Sequence, residues 1–319
     1  PVLSRNKKCR IGYPGGCIIG KRPIDLHLMA LGTLGADISE QTFYLDAECS
    51  RFQGKDIYFT KSSVGATQQA ILAAVMAQGV TKLHNCAKEP EVFWLCRYLR
   101  SMGALIKGEE TKEIMITGIR ELGPGNYTVP PDRIVAGTYL CAAAATRSEI
   151  TLRNVPEQEL QAFLEVYQKI GGQYTRKSGT LVADSKNVQH AVPYVETEEY
   201  PGFPTDLQSL YLAAAMTLEG KSCICENVFE DRLRTAEELQ KMGGTLQIYG
   251  KWLMAEKSRL HGAEVVSQDL RGGAALVSAA LAAEGFSTIR QTELIERGYE
   301  RFPETLRELG AKIIVEKEI

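Results

Sequence analysis

The sequence lacks most of the features that would place it quickly. Among its 319 residues, no apolar run approaches the roughly 18 to 20 residues of a membrane-spanning helix, and none of it reads as a signal peptide. The formal net charge is −2, too small to mark a nucleic-acid or anionic-membrane binder. Histidine is scarce, with four residues at 27, 84, 190 and 261. None has metal-ligand spacing, and their sparseness argues against a His-based triad. The eight cysteines (9, 17, 49, 86, 96, 141, 223 and 225) fit neither a zinc pattern nor a compact disulfide framework. Free thiols in this number suit the cytosol, so a cytoplasmic location is expected. Low-complexity tracts and long linkers are also absent. What remains is an ordinary globular composition, 44% apolar and 24% charged, long enough for about two domains.

Against that background one stretch stands out, Tyr13-Pro14-Gly15-Gly16-Cys17-Ile18-Ile19-Gly20-Lys21-Arg22-Pro23. Glycines and prolines make it a loop, and it carries a thiol beside two cations. A nearby cation favours the thiolate and so makes a cysteine a better acid or nucleophile. An ordinary surface turn with a half-buried cysteine fits the same residues.

The rest of the chain is periodic. Amphipathic helices end in glycine at 35, 103, 171, 243 and 310, with steps of 68, 68, 72 and 67. A helix closed by a left-handed C′ glycine and followed by a strand explains each occurrence. A second, Ala-rich helix keeps the same period, at 69–78, 138–146, 211–219 and 275–284, and a strand follows each. Its small side chains suit close helix packing in a buried place. The chain holds about 4.7 such periods and opens inside one, on a loop and a short strand at 8–12. The expectation is a repeat protein that lacks a neighbour at its start.

Eight motifs then occur in order: PGGCIIGKRPIDLH at 14–27, SVGAT at 63–67, KEPEV at 88–92, PDRIVAGTYL at 131–140, YPGFPTDLQ at 200–208, VFEDRL at 228–233, DLRGGAALV at 269–277 and ERGYER at 296–301. Together they resemble the UDP-N-acetylglucosamine 1-carboxyvinyltransferase family of enolpyruvyl transferases, over the whole chain. The resemblance implies an α/β (α+β) fold, an inside-out α/β barrel of repeated βαβαββ units in two pseudo-symmetric domains. Here these would be residues 1–129, carrying the cysteine loop, and 130–319. It implies phosphoenolpyruvate and UDP-N-acetylglucosamine as substrates, no cofactor, no metal, no nucleic-acid or membrane partner, and a monomer by default.

It also implies roles. The sugar 3′-hydroxyl adds to C2 of phosphoenolpyruvate, C3 is protonated, and phosphate leaves, so the site needs an acid, a base and cations. Cys17 matches the family's general acid, which can also form a covalent adduct. Asp206 matches a base or hydrogen-bond acceptor at the hydroxyl, although an Asp at a helix start also reads as an N-cap. Arg22 and Arg297 match the arginines on the phosphate, where a planar guanidinium grips better than an ammonium. Arg271 matches a residue near the substrate carboxylate, with Arg232 a further candidate. Arg22, Pro23, Ile24, Asp25 and Leu26 would meet the uracil and ribose. Lys61, Ser62, Ser63, Val64 and Gly65 would meet the diphosphate, as a helix N-terminus does, or simply cap that helix. Val228 would touch the sugar. The family's Lys-Asn pair on phosphoenolpyruvate and a further nucleotide arginine have no counterpart in the sequence. The alternative to a transferase is therefore an inactive form that binds the sugar nucleotide only.

One outcome follows directly. Fosfomycin alkylates the family's cysteine, so incubation with it should add one adduct to the Cys17 peptide, read by mass spectrometry, and none to Cys17→Ala. An unmodified Cys17 would remove the reactive-thiol reading.

Overall fold

The computed structural model describes residues 2–13, 15 and 23–316. The chain divides into two compact units. The first holds the described residues as far as Pro130 together with Glu199–Pro201. The second holds Pro131–Glu198 and the described residues from Gly202 onward.

The first unit contains two repeats. One comprises α1 (Val2–Asn6), β1 (Lys8–Gly12), α2 (Asp25–Thr33), β2 (Asp37–Glu40) and β3 (Tyr44–Glu48). The next comprises β4 (Asp56–Tyr58), α3 (Val64–Ala74), β5 (Val80–His84), α4 (Pro90–Ser101), β6 (Leu105–Lys107) and β7 (Glu113–Thr117). The second unit contains three. These are α5 (Arg133–Thr146), β8 (Glu149–Arg153), α6 (Gln161–Lys169), β9 (Gln173–Lys177) and β10 (Thr180–Asp184); then β11 (Tyr194–Glu196), α7 (Gln208–Ala215), β12 (Lys221–Cys225), α8 (Thr235–Lys241), β13 (Thr245–Tyr249) and β14 (Trp252–Glu256); then β15 (Glu264–Val266), α9 (Leu270–Ala282), β16 (Thr288–Arg290), α10 (Glu293–Glu296) and α11 (Phe302–Glu308).

Each repeat builds its own small sheet. The orders are β1-β3-β2, β4-β5-β7-β6, β8-β10-β9, β11-β12-β14-β13 and β15-β16. The strands that bracket an Ala-rich helix, β4 and β5, β11 and β12, and β15 and β16, run parallel, whereas the hairpins close antiparallel. A parallel pair needs a crossover, and the helix supplies it. The strand burial alternates, Ile114 and Ile116 inward against Glu113 and Met115 outward, so one face of the sheet meets the core and the other meets water.

The Ala-rich helices form the interior. In the second unit α5, α7 and α9 pack on one another, and every residue of α7 is buried. Small side chains make this approach possible. A Cβ on Gly137 of α5 would lie 2.5 Å from the Leu207 side chain. All five helix-closing glycines take positive φ, between 88° and 104°. A parallel series of left-handed residues follows α1 at Lys7 and the Ala-rich helices at Gly79, Arg147, Gly220 and Gly285, with φ of 64°, 95°, 55°, 91° and 91°. Arg147 holds this left-handed turn without glycine, at a cost of about 1 to 2 kcal/mol. Its guanidinium offsets that cost by donating to the Ala144 and Ala145 carbonyls of α5 and to Thr217 Oγ1 and O.

Two expectations are corrected. Residues 2–6 form a helix rather than an entry loop, because Leu3 buries and Lys7 closes the turn on the Leu3 carbonyl. This helix stands where the Ala-rich helix stands in the other repeats. Among the described residues no strand follows Gly310, and residues 311–316 take no regular element. The strands after the other four glycines pair with the hairpin strand that follows them, and among the described residues no such strand follows Gly310.

The glycines differ in what surrounds them. A Cβ at Gly171 would meet the Asn187 carbonyl oxygen at 2.7 Å, whereas at Gly35 it would meet open space. Both alanine variants should lose stability in urea unfolding, Gly35→Ala by about 1 kcal/mol and Gly171→Ala by clearly more. Equal losses would show that the backbone angle alone governs these turns.

Candidate functional site

In the second unit the three buried helices begin at one end of the core, and their first residues carry charge. Arg133, Asp206 and Arg271 each stand the same number of residues before the left-handed residue that follows the helix, Arg147, Gly220 and Gly285 respectively. The Asp206 carboxylate accepts from Arg232 Nη2 at 2.7 Å and from Arg271 Nε at 3.2 Å. The two arginine side chains are almost fully buried, while Asp206 is 37% exposed, so the carboxylate is the member that faces outward.

Local sequence explains the placement. Pro204 leads into the 3-10 turn Thr205–Leu207, which runs straight into α7 and presents Asp206 at its start. Asp206 does not sit at the cap position of the turn or of α7, which Pro204 and Leu207 hold, and its carboxylate is taken by the two guanidinium groups. Capping belongs to Asp269, whose carboxylate accepts from the amides of Arg271 and Gly272 and so fixes the first turn of α9. Arg271 then lies over the Tyr299 ring, 5.2 Å from its centroid, and the Tyr299 hydroxyl is 2.8 Å from Thr138 Oγ1 of α5.

On the other side Arg232 Nη1 donates to Thr205 Oγ1 at 2.9 Å. That hydroxyl donates to both oxygens of Glu226, which is 3% exposed. The Glu226 carboxylate also accepts from Thr197 Oγ1 and from the amides of Val228 and Phe229. One chain of contacts thus runs Glu226, Thr205, Arg232, Asp206, Arg271, Tyr299, Thr138.

The electrostatics follow. Burial pushes the Asp206 carboxyl up, but the charges and hydrogen bonds of Arg232 and Arg271 outweigh it and hold the group below its ordinary value. Burial likewise pushes the Tyr299 hydroxyl up, further than Arg271 and Thr138 take back, so it stays protonated at neutral pH. Arg232 Nε, Arg271 Nη1 and Gln208 Nε2 are buried donors that find no partner among the described residues. Two of these are cationic, and a carboxylate or phosphate group is the partner such donors bind best.

In the first unit the structure joins two of the expected runs. Pro23 and Ile24 lead into α2, with Asp25 exposed in its first turn. The side chain of Leu26 lies in the core, so only its backbone is open to a ligand. Lys61 is exposed and Ser62 half-buried just before α3. Ser63 caps α3, accepting from the Ala66 amide at 3.3 Å, and Val64 and Gly65 open the helix. His27 of α2 lies against Gly65, where a Cβ would sit 3.0 Å from its ring, and its Nδ1 is within hydrogen-bond distance of Gln69 Oε1. The starts of α2 and α3 are therefore neighbours.

Cys17 and Arg22 lie outside the described residues. Arg297 is exposed at the end of α10, two residues before Tyr299, and Val228 is exposed on the loop held by Glu226. Arg232, a subsidiary candidate in the sequence, is the closest partner of Asp206. The sequence reading missed Thr205, Glu226, Thr138 and Tyr299 as members of the cluster. Each lay in or beside a motif, but no residue type or spacing separated it from its neighbours. Among the other cysteines, burial pushes the thiols of Cys86 and Cys96 up to about 12, so neither is a thiolate at neutral pH.

Comparison with known proteins agrees with this architecture. Residues 1–306 match the family model of EPSP synthase (3-phosphoshikimate 1-carboxyvinyltransferase). UDP-N-acetylglucosamine 1-carboxyvinyltransferase 2 of Caldanaerobacter subterraneus is 41% identical over 314 residues, 98% of this chain and 75% of its own length. The UDP-N-acetylglucosamine 1-carboxyvinyltransferase of Orientia tsutsugamushi is 42% identical over 317 residues, with the same coverage. Among solved structures, the enolpyruvyl transferase NikO of Streptomyces tendae superposes with a TM-score of 0.86 at 24% identity, covering 97% of this chain and 74% of that one. EPSP synthase of Acinetobacter baumannii gives 0.71 at 22% identity, covering 96% and 74%. The last two establish the fold.

The two arginines on Asp206 set a pH signature. A depressed carboxyl contributes stability that is complete above its unfolded value, about 3.9, and is lost as pH falls through the folded value. The difference in unfolding free energy between wild type and Asp206→Asn should be constant above about pH 5 and shrink below about pH 4. A difference independent of pH would show that the carboxylate is not held by the two guanidinium groups.

Proposed function

The chain belongs to the EPSP synthase family of carboxyvinyltransferases, as a homologue of the UDP-N-acetylglucosamine 1-carboxyvinyltransferases, and from that premise we propose that it transfers the enolpyruvyl group of phosphoenolpyruvate to the 3′-hydroxyl of UDP-N-acetylglucosamine with release of phosphate. The observation that carries this reading is the outward-facing Asp206 carboxylate between two buried guanidinium groups with unpartnered N–H donors.

The chemistry divides among the residues as follows. The sugar oxygen forms a bond to C2 of phosphoenolpyruvate and gives up its proton on the Asp206 side. Cys17 supplies the proton that C3 gains. The tetrahedral adduct then loses a proton from C3, returned to the Cys17 thiolate, as the C2–O bond to phosphate breaks and phosphate leaves with the sugar's proton, which restores the enol ether. Asp206, held below its ordinary value, is ionised at neutral pH and a weak base. Its first role is to accept the hydroxyl hydrogen bond and aim the oxygen at C2, which lowers the entropic cost of the encounter. Arg232 and Arg271 offer their remaining donors to the anionic substrate, and Arg22 and Arg297 grip the phosphate.

In the first unit the neighbouring starts of α2 and α3 form the nucleotide site. The amides at the start of α3 and Lys61 take the diphosphate, and the 22–26 run takes the uracil and ribose. Val228 contacts the sugar. The reading places the protein in the cytoplasm, at the opening step of peptidoglycan synthesis, acting as a monomer. No helix among the described residues is long and apolar enough to cross a membrane.

The relatives are longer than this chain, which spans three-quarters of them, and a form that only binds the sugar nucleotide is the competing reading. Phosphate release from phosphoenolpyruvate, with and without UDP-N-acetylglucosamine, separates the two. Release that requires the sugar nucleotide and falls at least about a hundredfold in Cys17→Ala is the expected result. Folded protein that binds UDP-N-acetylglucosamine and releases no phosphate would decide for binding alone.

A further inference from the structure

The Glu226 carboxylate is the most heavily engaged buried group in the second unit that the proposed chemistry leaves without a part. It is not within the motifs that carry the family resemblance, and its hydrogen bonds go to Thr197, Thr205, Val228 and Phe229. Its partners are three segments: Thr197 after β11, Thr205 in the turn before α7, and the amides of Val228 and Phe229.

The Thr205 hydroxyl has one proton. Both Glu226 oxygens, at 3.0 and 2.9 Å, can only accept it. The oxygen is therefore left as an acceptor, and Arg232 Nη1 donates to it at 2.9 Å. That bond fixes the plane of a guanidinium whose other end, Nη2, holds Asp206 at 2.7 Å. A hydroxyl free to rotate could turn its proton toward Arg232 and lose this bond. The charges also alternate along the chain, Glu226, Arg232, Asp206, Arg271, with Arg232 held to Asp206 directly and to Glu226 through the Thr205 hydroxyl.

We infer that Glu226 is a positioning residue, which locks the Thr205 hydroxyl as an acceptor so that Arg232 keeps Asp206 in its working orientation. The same carboxylate sets the backbone that carries Val228, so one buried group aligns both the hydroxyl acceptor and the sugar contact. This inference rests on the functional reading above for its catalytic consequence, but its geometry does not.

The groups that face Asp206 are Arg232 from the turn Arg232–Arg234 and Arg271 from α9. Arg271 in turn faces Tyr299 and Asp132, and Arg232 faces Glu226 through Thr205. Loss of the Thr205 anchor lets Arg232 relax away from Asp206, which raises the Asp206 titration midpoint. Simple loss of the Glu226 charge does the reverse, because it removes a negative neighbour. The two accounts differ in sign.

Isotope-edited NMR of the Asp206 carboxyl, assigned with Asp206→Asn, reads that midpoint without turnover. Glu226→Gln and Thr205→Val should each raise it by about half a pH unit, and the double variant by no more than either alone. Thr205→Ser, which keeps the hydroxyl, should match wild type. In the phosphate-release assay the first two variants should lower kcat about tenfold, with KM for UDP-N-acetylglucosamine within about twofold. A midpoint that falls or stays in Glu226→Gln, or single shifts that add in the double variant, would overturn the inference. Should Glu226→Gln not fold, Thr205→Val against Thr205→Ser decides it alone. A wild type that releases no phosphate would defeat the functional reading, and the titration would still decide the positioning role.

Discussion

Close packing of small-residue helices is the constraint on which the second unit depends. Alanine and glycine along α5, α7 and α9 let three helices share one interior, and the same small residues leave little freedom in how far each helix slides. The helices come from equivalent repeats and pack on one another. Arg133, Asp206 and Arg271, scattered over more than a hundred residues of sequence, occupy one register position. Two members of that position, Asp206 and Arg271, meet as opposite charges once the helices pack.

Such a cluster is costly unless its charges compensate. Arg232 and Arg271 are nearly removed from water, and a lone buried guanidinium would be strongly destabilising. Asp206 offsets both directly, and Glu226 offsets Arg232 through Thr205. The arrangement leaves Asp206 ionised and partly exposed, with several donor N–H groups unsatisfied beside it. Under the proposed function, these spare donors would receive the anionic substrate beside the sugar hydroxyl that Asp206 holds.

Much of the fold was legible in the sequence because it rests on local chemistry. A helix stop needs a residue that tolerates positive φ, and glycine at 35, 103, 171, 243 and 310 announces it wherever it occurs. The Ala-rich helices and the strands after them were legible for the same reason. The failures were equally physical. The helix at 2–6 is short, carries no Ala-rich signature, and exists because Leu3 finds a core to enter. The strands after the other four glycines form by pairing with the next strand of a hairpin, and no such hairpin follows Gly310 among the described residues.

At the site the division is sharper. By itself the sequence determined the repeat and the family, because these are recorded in spacing and motif. Only the tertiary structure decided that Asp206 binds two arginines instead of capping its helix, that Arg232 is its nearest partner, that Leu26 faces the core, and that Glu226, Thr205 and Tyr299 belong to the cluster. A side chain with several possible partners takes the one that packing brings within reach. That choice depends on distances between segments far apart in the chain, which no local pattern encodes.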